Sequence, residues 1–191
     1  MDRGADNTPG AHYTRLAEAN GWVGICDASL SFRTRELADL HALWQQTSGS
    51  GGIPKRADFT ARVLKSCLPH VAIYERTICP QKGRRYRVRL MGTRFSLVMG
   101  DLTGKFIDEA VPEAFLPRWY AALDAVLDAH VPLRFLSRAD TTNKSYLLGE
   151  FFEAPLLNDQ GIPDIVLAAA FHSEMSDWKT ILAEERARQA A

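Results

Sequence analysis

Four arginines, Arg84, Arg85, Arg87 and Arg89, crowd one short stretch of the chain. Three of them alternate with Tyr86, Val88 and Leu90, so they line the polar face of a strand, where charge discourages edge-to-edge pairing. The other reading is contact with an anion or phosphate, since a guanidinium presents a fork of donors to oxyanions. Arg94 follows Gly92 and Thr93 at the start of a short helix, whose free amides also attract anions. Arg85, Arg87 and Arg94 are therefore the candidate anion contacts. Acid–base chemistry has fewer candidates. Asp124 and Asp128 share one helix face, but it is the polar face, which reads as solvated surface. Strand parity turns Glu75 and Glu150 towards an interior, one per strand. The histidines are scattered, which argues against a multi-histidine metal site. His130 ends a helix, where an imidazolium meets the dipole favourably, and His172 sits late in a strand. Cys26, Cys67 and Cys79 have neither zinc nor Cys-x-x-Cys spacing. No nucleophile elbow, Walker loop or His-Glu-x-x-His run appears.

The composition narrows the field further. The chain has 191 residues and a formal net charge of zero, which removes a general electrostatic argument for nucleic acid or anionic lipid. At 46% hydrophobic and 24% charged it is an ordinary globular sequence, long enough for one domain with extensions. No run approaches the apolar length of a membrane span. The polar, glycine-rich opening does not read as a signal peptide, and three cysteines are an odd count for a disulfide framework, so a reducing cytoplasm is expected.

These residues need elements to hold them. Met1 to Thr14 reads as a disordered tail, and Leu16 to Leu30 is apolar without a clear period. Thr34 to Gln46 is a helix, capped by Thr34, with Leu37, Leu40 and Trp44 in a stripe and Leu43 beside it. A glycine-rich connector, Thr47 to Pro54, follows. Asp58 caps a second short helix that turns Val63, Leu64 and Cys67 inward, and Pro69 ends it. His70 to Cys79 and Arg84 to Met91 are two strands around a hairpin turn. Gly92, Gly100 and Gly104 mark sharp changes of direction through short helices. A long helix spans about Ala114 to Ala129. Three strands in a meander follow: Leu133 to Asp140, Lys144 to Leu156 and Ile165 to Ser173, with a turn at Thr141-Thr-Asn143. A helix from Met175 to Ala191 closes the chain. The natural solution is an α+β fold, an antiparallel sheet with helices on one face. The last strand is apolar on both faces, as a central strand covered on both sides would be. Its second cover is the Leu37, Leu40, Leu43 and Trp44 helix, from the same chain or from a partner. The aromatic and apolar set between sheet and helices is Tyr74, Phe95, Met99, Phe106, Phe115, Trp119, Phe135 and Phe152, which reads first as plain core and second as the wall of a pocket.

Four pieces, in order, resemble the Per-Arnt-Sim (PAS) sensor domain, in particular a bacterial subfamily of standalone PAS domains. They are Leu40 to Trp44, Pro54 to Phe59, the Arg85 to Thr93 run Arg-Tyr-Arg-Val-Arg-Leu-Met-Gly-Thr, and Asp101-Leu-Thr-Gly104. The resemblance covers roughly Leu37 to His172. It implies a five-stranded antiparallel sheet of order 2-1-5-4-3 and a division into an N-terminal extension (1–33), a helical cap (34–68), a PAS-like core (69–174) and a C-terminal helix (175–191). It implies a non-catalytic sensory or regulatory module that binds a small molecule or a partner protein, is a homodimer, and signals by protein contacts. The space between sheet and helices is where such domains take ligands, so the implied pocket is Tyr74, Phe95, Met99, Phe106, Phe115, Trp119, Leu123, Phe135, Ala168 and Ala170, the two alanines leaving room. The ligand stays open. Haem, held in some PAS domains by a histidine on the long helix, is not the expectation for His130. Flavin photochemistry is not expected either, because the run Gly92-Thr-Arg-Phe-Ser96 lacks the reactive cysteine. The alternative is a small pocket enzyme or carrier on a similar curved sheet, of cyclase or isomerase type, with Glu75 and Glu150 as its only candidate acids.

Overall fold

A computed structural model describes residues 10–49, 51–139, 144–175 and 177–189. The expected turn at 141–143 and the first nine residues of the expected tail lie outside these. The chain runs α1 (Ala11–Ala19), β1 (Gly24–Asp27), α2 (Arg35–Ser48), β2 (Val71–Cys79), β3 (Gly83–Met91), α3 (Thr93–Met99), α4 (Ile107–Ala110), α5 (Leu116–Ala129), β4 (Leu133–Arg138), β5 (Leu147–Leu157), β6 (Pro163–Glu174) and α6 (Trp178–Gln189).

The strands form one antiparallel sheet in the order β1-β4-β5-β6-β2-β3. Read from the other edge, β3-β2-β6-β5-β4 is the expected five-strand order. The sixth strand is the correction: β1 adds to the β4 edge, pairing Gly24 with Ser137 through to Asp27 with Arg134. Its four residues are too few to show a period, so the sequence hid it. The tail also needs correcting. Residues 11–19 form α1, whose Tyr13 and Ala17 are buried in the core.

Both faces of the sheet are covered. The inner face packs Tyr74, Val88, Phe135, Phe151, Val166 and Ala168 against α1, α3, α4 and α5. The outer face packs Ile73, Phe152, Leu156, Leu167 and Ala169 against Leu37, Leu40 and Trp44 of α2 and against Phe59, Leu64 and Cys67. The cover therefore comes from the same chain, and Trp44 Nε1 donates to the Pro155 carbonyl at 3.0 Å. Phe152, expected between sheet and inner helices, belongs to this outer cluster. The expected short helix after Asp58 is a 3₁₀ turn (Arg56–Asp58) followed by further turns; Leu64 and Cys67 point inward, but Val63 is exposed. There the chain runs through turns rather than one helix, so Val63 does not share a side with Leu64 and Cys67.

A buried ion cluster pins the outer face near β1. Arg134, fully buried on β4, donates to Glu150 Oε1 at 2.6 Å, Glu185 Oε2 at 2.5 Å and Asp27 Oδ2 at 3.2 Å. Glu185 lies on α6 and also accepts from Arg33 at 2.5 Å. Thr34 sits at the N-cap of α2, but its side chain makes no capping bond. Instead Glu150 accepts the backbone N–H groups of Arg33 and Thr34, both at 2.8 Å. A carboxylate at a helix start satisfies orphan amides and meets the positive end of the dipole. One ion cluster thus ties α2, α6, β1, β4 and β5 together.

Candidate functional site

α5 begins after Phe115 and ends at His130, whose φ of 58° stops the helix. It lies across the inner sheet face, burying Leu123, Val126 and Leu127. Between it, α1, α3 and the sheet is a cavity of about 50 Å³. Tyr74, Phe95, Met99, Trp119, Leu123 and Phe135, six of the expected residues, line it. The other four sit elsewhere. Ala168 and Ala170 are sealed in the core of the inner face. Phe115 precedes α5, and Phe106 lies beneath the Arg85 guanidinium, 3.8 Å from ring centroid to carbon.

The walls are aromatic and interlocked. Trp119, half-buried, meets Tyr74 edge-on at 6.2 Å, and Tyr13 meets Phe135 edge-on at 4.9 Å. Such T-shaped pairs fix ring positions beyond simple area burial. Tyr13, Arg118, Phe151 and Glu153 also line the cavity, and the sequence reading missed all four. Tyr13 fell in a stretch read as tail. Arg118 lies on α5 beside Trp119, where a cation reads as surface. Its Nη1 donates to the Val23 carbonyl at 3.2 Å and its Nη2 to the Arg138 carbonyl at 2.8 Å, so it ties α5 to the β1 and β4 ends.

Glu153 reverses the strand-parity expectation. On β5, Phe151 and Glu153 face the inner side, while Glu150, Phe152, Ala154 and Leu156 face outward. Glu150 is locked in the Arg134 cluster, and Glu75 pairs with Arg89 at 3.1 Å. Neither expected acid reaches the cavity; Glu153 does. Parity was ambiguous because β5 is apolar on both sides, so either phase of Phe151 and Phe152 suits a buried strand. The Glu153 side chain is buried and its Oε2 has no hydrogen-bond partner. Burial alone pushes its carboxyl up to about 8. Burial likewise raises the phenols of Tyr13 and Tyr74 and lowers Arg118. At neutral pH the wall therefore offers a neutral carboxyl and two phenols.

The arginine stripe is largely spoken for. Arg85 is nearly buried and clamps Asp108 and Glu109, at 2.9 and 2.6 Å. Arg84 reaches Asp124 at 2.5 Å, and Tyr86 donates its hydroxyl to the same carboxylate. Asp124 is thus not on a solvated face; burial raises its carboxyl although Tyr86 and Arg84 oppose the rise. Asp128 is exposed and pairs with Arg76. Arg87 and Arg94 are exposed, Arg87 donating to the Gly104 carbonyl at 3.3 Å. His130 is exposed. His172 contacts Phe95 and Phe151 edge-on, and burial, with His70 and Lys144 nearby, pushes it down to about 4. Among the described residues no three histidine, cysteine or acidic side chains gather to hold a metal, and no helix is long and apolar enough to cross a membrane.

A curved antiparallel sheet of this order, with short helices and one long helix closing a cavity on its inner face, defines a PAS-type domain. The PAS domain family model matches residues 32–170, and the chain belongs to that family. Among solved structures it is similar to an RNA-binding light-oxygen-voltage receptor at 14% identity, over 75% of this chain and 41% of that one, with a TM-score of 0.47. It is similar to a light-oxygen-voltage domain with a flavin analogue at 14% identity, over 69% of this chain and 98% of that one, with a TM-score of 0.43. A sensory box histidine kinase/response regulator from Burkholderia thailandensis E264 is 17% identical over 68% of this chain and 92% of that one, with a TM-score of 0.36. The chain thus spans less than half the length of the receptor. No curated protein matches it.

Proposed function

We propose that this protein is a sensory and regulatory PAS module that binds a small molecule in the inner cavity and passes the signal on through protein contacts, without catalysis. It acts in the cytoplasm as a homodimer. The observation that carries the reading is the cavity itself: an aromatic cleft lined by Glu153, a buried acid one of whose oxygens has no hydrogen-bond partner. A purely structural core satisfies its buried polar atoms; a binding site leaves some for its ligand. At about 50 Å³ the cavity is well below the roughly 150 Å³ that encloses benzene, so a flavin or haem ring system does not fit these walls. The test is mass spectrometry of molecules released when the purified protein is denatured. A stoichiometric small molecule, lost when Leu123 is replaced by Trp to fill the space, supports the reading; recovery of nothing in either case counts against it.

Glu153 also favours a second reading, a small pocket enzyme. A carboxyl raised to about 8 is poised as a general acid near neutral pH, with the Tyr13 and Tyr74 phenols beside it as donors. Turnover of a cavity ligand that stops in Glu153→Gln while binding persists would assign it.

A further inference from the structure

We propose that the cavity takes a small monocarboxylate, its charged end held beside β4 by Arg138, Ser137 and Tyr13 and its apolar body laid against Trp119 and Phe135. The inference rests on the reading of the cavity as a ligand site and names the class of molecule that enters it. The polar groups of the wall lead there. Tyr13, Tyr74 and Ser137 line the cavity, and among the described residues none of their hydroxyls has a hydrogen-bond partner. Unlike Glu153 Oε2, which is sealed, these hydroxyls keep accessible surface, although Tyr13 and Tyr74 are only 2% and 3% exposed. Arg138 completes the wall at the end of β4. It is exposed, and among the described residues its guanidinium has no ion-pair or hydrogen-bond partner. Its backbone carbonyl, by contrast, accepts from Arg118 Nη2 at 2.8 Å. Three of these groups meet at one place. A Cβ on Gly24 would lie 3.0 Å from the Tyr13 hydroxyl and 3.3 Å from Ser137 Cβ. α1 thus brings its phenol to the paired residues Gly24 and Ser137, one position from Arg138.

Charge decides the sign of the occupant. Arg118 and Arg138 are the cations of the wall, and its one acid, Glu153, is pushed up to about 8 by burial and carries no charge at pH 7. Tyr74 stands on β2, three strands from β4, and adds a hydroxyl without charge. A cation would meet only repulsion and aromatic rings. A carboxylate gains a charge-assisted contact with a guanidinium that has no other partner, and hydroxyl donors for its second oxygen. Because Arg138 is exposed, the charged end stays at the rim and keeps part of its hydration, which limits the cost of burial. Phosphate carries oxygens on every side and would turn some of them to the aromatic rings; a monocarboxylate carries its charge at one end only. The volume, about 50 Å³, holds roughly three to five waters, the size of propionate.

The experiment titrates the full chain at pH 7 and constant ionic strength with propionate, propionamide, propylamine and inorganic phosphate. The first three are near-isosteres of different charge; the fourth is an anion without an apolar body. The expected result is that propionate binds at least tenfold tighter than each of the others. Arg138→Gln should weaken propionate at least tenfold and leave propionamide unchanged, because it removes the guanidinium and keeps the backbone carbonyl that holds Arg118. Tyr13→Phe should weaken propionate severalfold while keeping the ring packed on Phe135. Preference for propionamide or propylamine, or a propionate affinity that ignores Arg138→Gln, overturns the inference while leaving the cavity a ligand site. Phosphate binding as tightly as propionate also overturns it, since charge alone would then account for the attraction. Binding of none of the four at 100 mM overturns the inference and the site together. The parent protein alone carries the comparison of ligands, so the test stands even if a variant fails to fold.

Discussion

Glu153 concentrates the electrostatic strain of the inner face. Its carboxyl is neutral in the fold up to about pH 8, whereas a free glutamic acid ionises near pH 4.5. Between those values the folded state binds a proton that the unfolded state has released, so stability falls as pH rises through this window and levels off above it. Glu153→Gln removes the titration. We expect its stability gain over the parent to be on the order of a few kcal/mol larger at pH 8.5 than at pH 4.5. Urea titrations at both values check this, and equal gains would show that the carboxyl is solvated. The glycines separate two physical constraints. Gly92 has an ordinary φ of −70°, but a Cβ there would lie 2.2 Å from the Leu68 carbonyl oxygen and 2.5 Å from that of Pro69. Gly104 has a φ of 83° and open space around it. Gly104→Ala should cost about 1 kcal/mol from the left-handed backbone alone. Gly92→Ala should cost more, about 1–3 kcal/mol, because backbone must move. The reverse ranking in thermal unfolding would mean that the α3 entry adjusts freely.

At the scale of elements, the Arg134 cluster decides how α6 and α2 attach. Three carboxylates converge on one buried guanidinium. Removing the cation leaves Asp27, Glu150 and Glu185 facing each other in a desolvated site. Arg134→Met should therefore destabilise by roughly 3–5 kcal/mol, the usual result of orphaning a buried charge. Glu150 also holds the start of α2, so Glu150→Gln should loosen that helix selectively. Hydrogen exchange should show faster amides in α2 with little change in β2 and β3. Uniform acceleration across all strands would instead mean that the cluster supports the whole sheet.

At the scale of the molecule, the outer face depends on α2. Leu37, Leu40 and Trp44 cover Ile73, Phe152 and Leu167. Deleting residues 1–50 also removes β1 and, with Asp27 and Arg33, two of the five side chains of the Arg134 cluster. The truncated protein should expose a continuous apolar sheet face and self-associate, since patches of that kind are covered in stable monomers. Light scattering of the truncated form reads the outcome directly; a soluble species of unchanged oligomeric state would show that the remaining sheet needs no cover.

Much of this architecture was already written in local chemistry. The Arg-Tyr-Arg-Val-Arg-Leu alternation fixes β3 whatever surrounds it, because period-2 polarity has one structural solution. The Leu37, Leu40 and Trp44 stripe similarly makes α2 a helix that must bury one side, and the doubly apolar β6 must be central. Aromatic residues on α3, α5 and two strands, Phe95, Trp119, Tyr74 and Phe135, all came to one cavity from that logic. What local chemistry left open was phase and partnership. β5 is apolar on both sides, so its sequence did not say whether Glu150 or Glu153 faced the helices; only the pairing of Phe151 with Phe135 and Ala170 decided it. β1 is too short to carry a period and becomes a strand because the β4 edge offers it hydrogen bonds. The arginines advertised charge, but their carboxylate partners lie on other elements, Asp108 at 23 residues from Arg85 and Glu185 at 51 from Arg134. Spacing along a chain reports what lies within one element. Which buried charge meets which, and which one is left facing a cavity, is settled by contacts between elements, and those exist only once the sheet has closed.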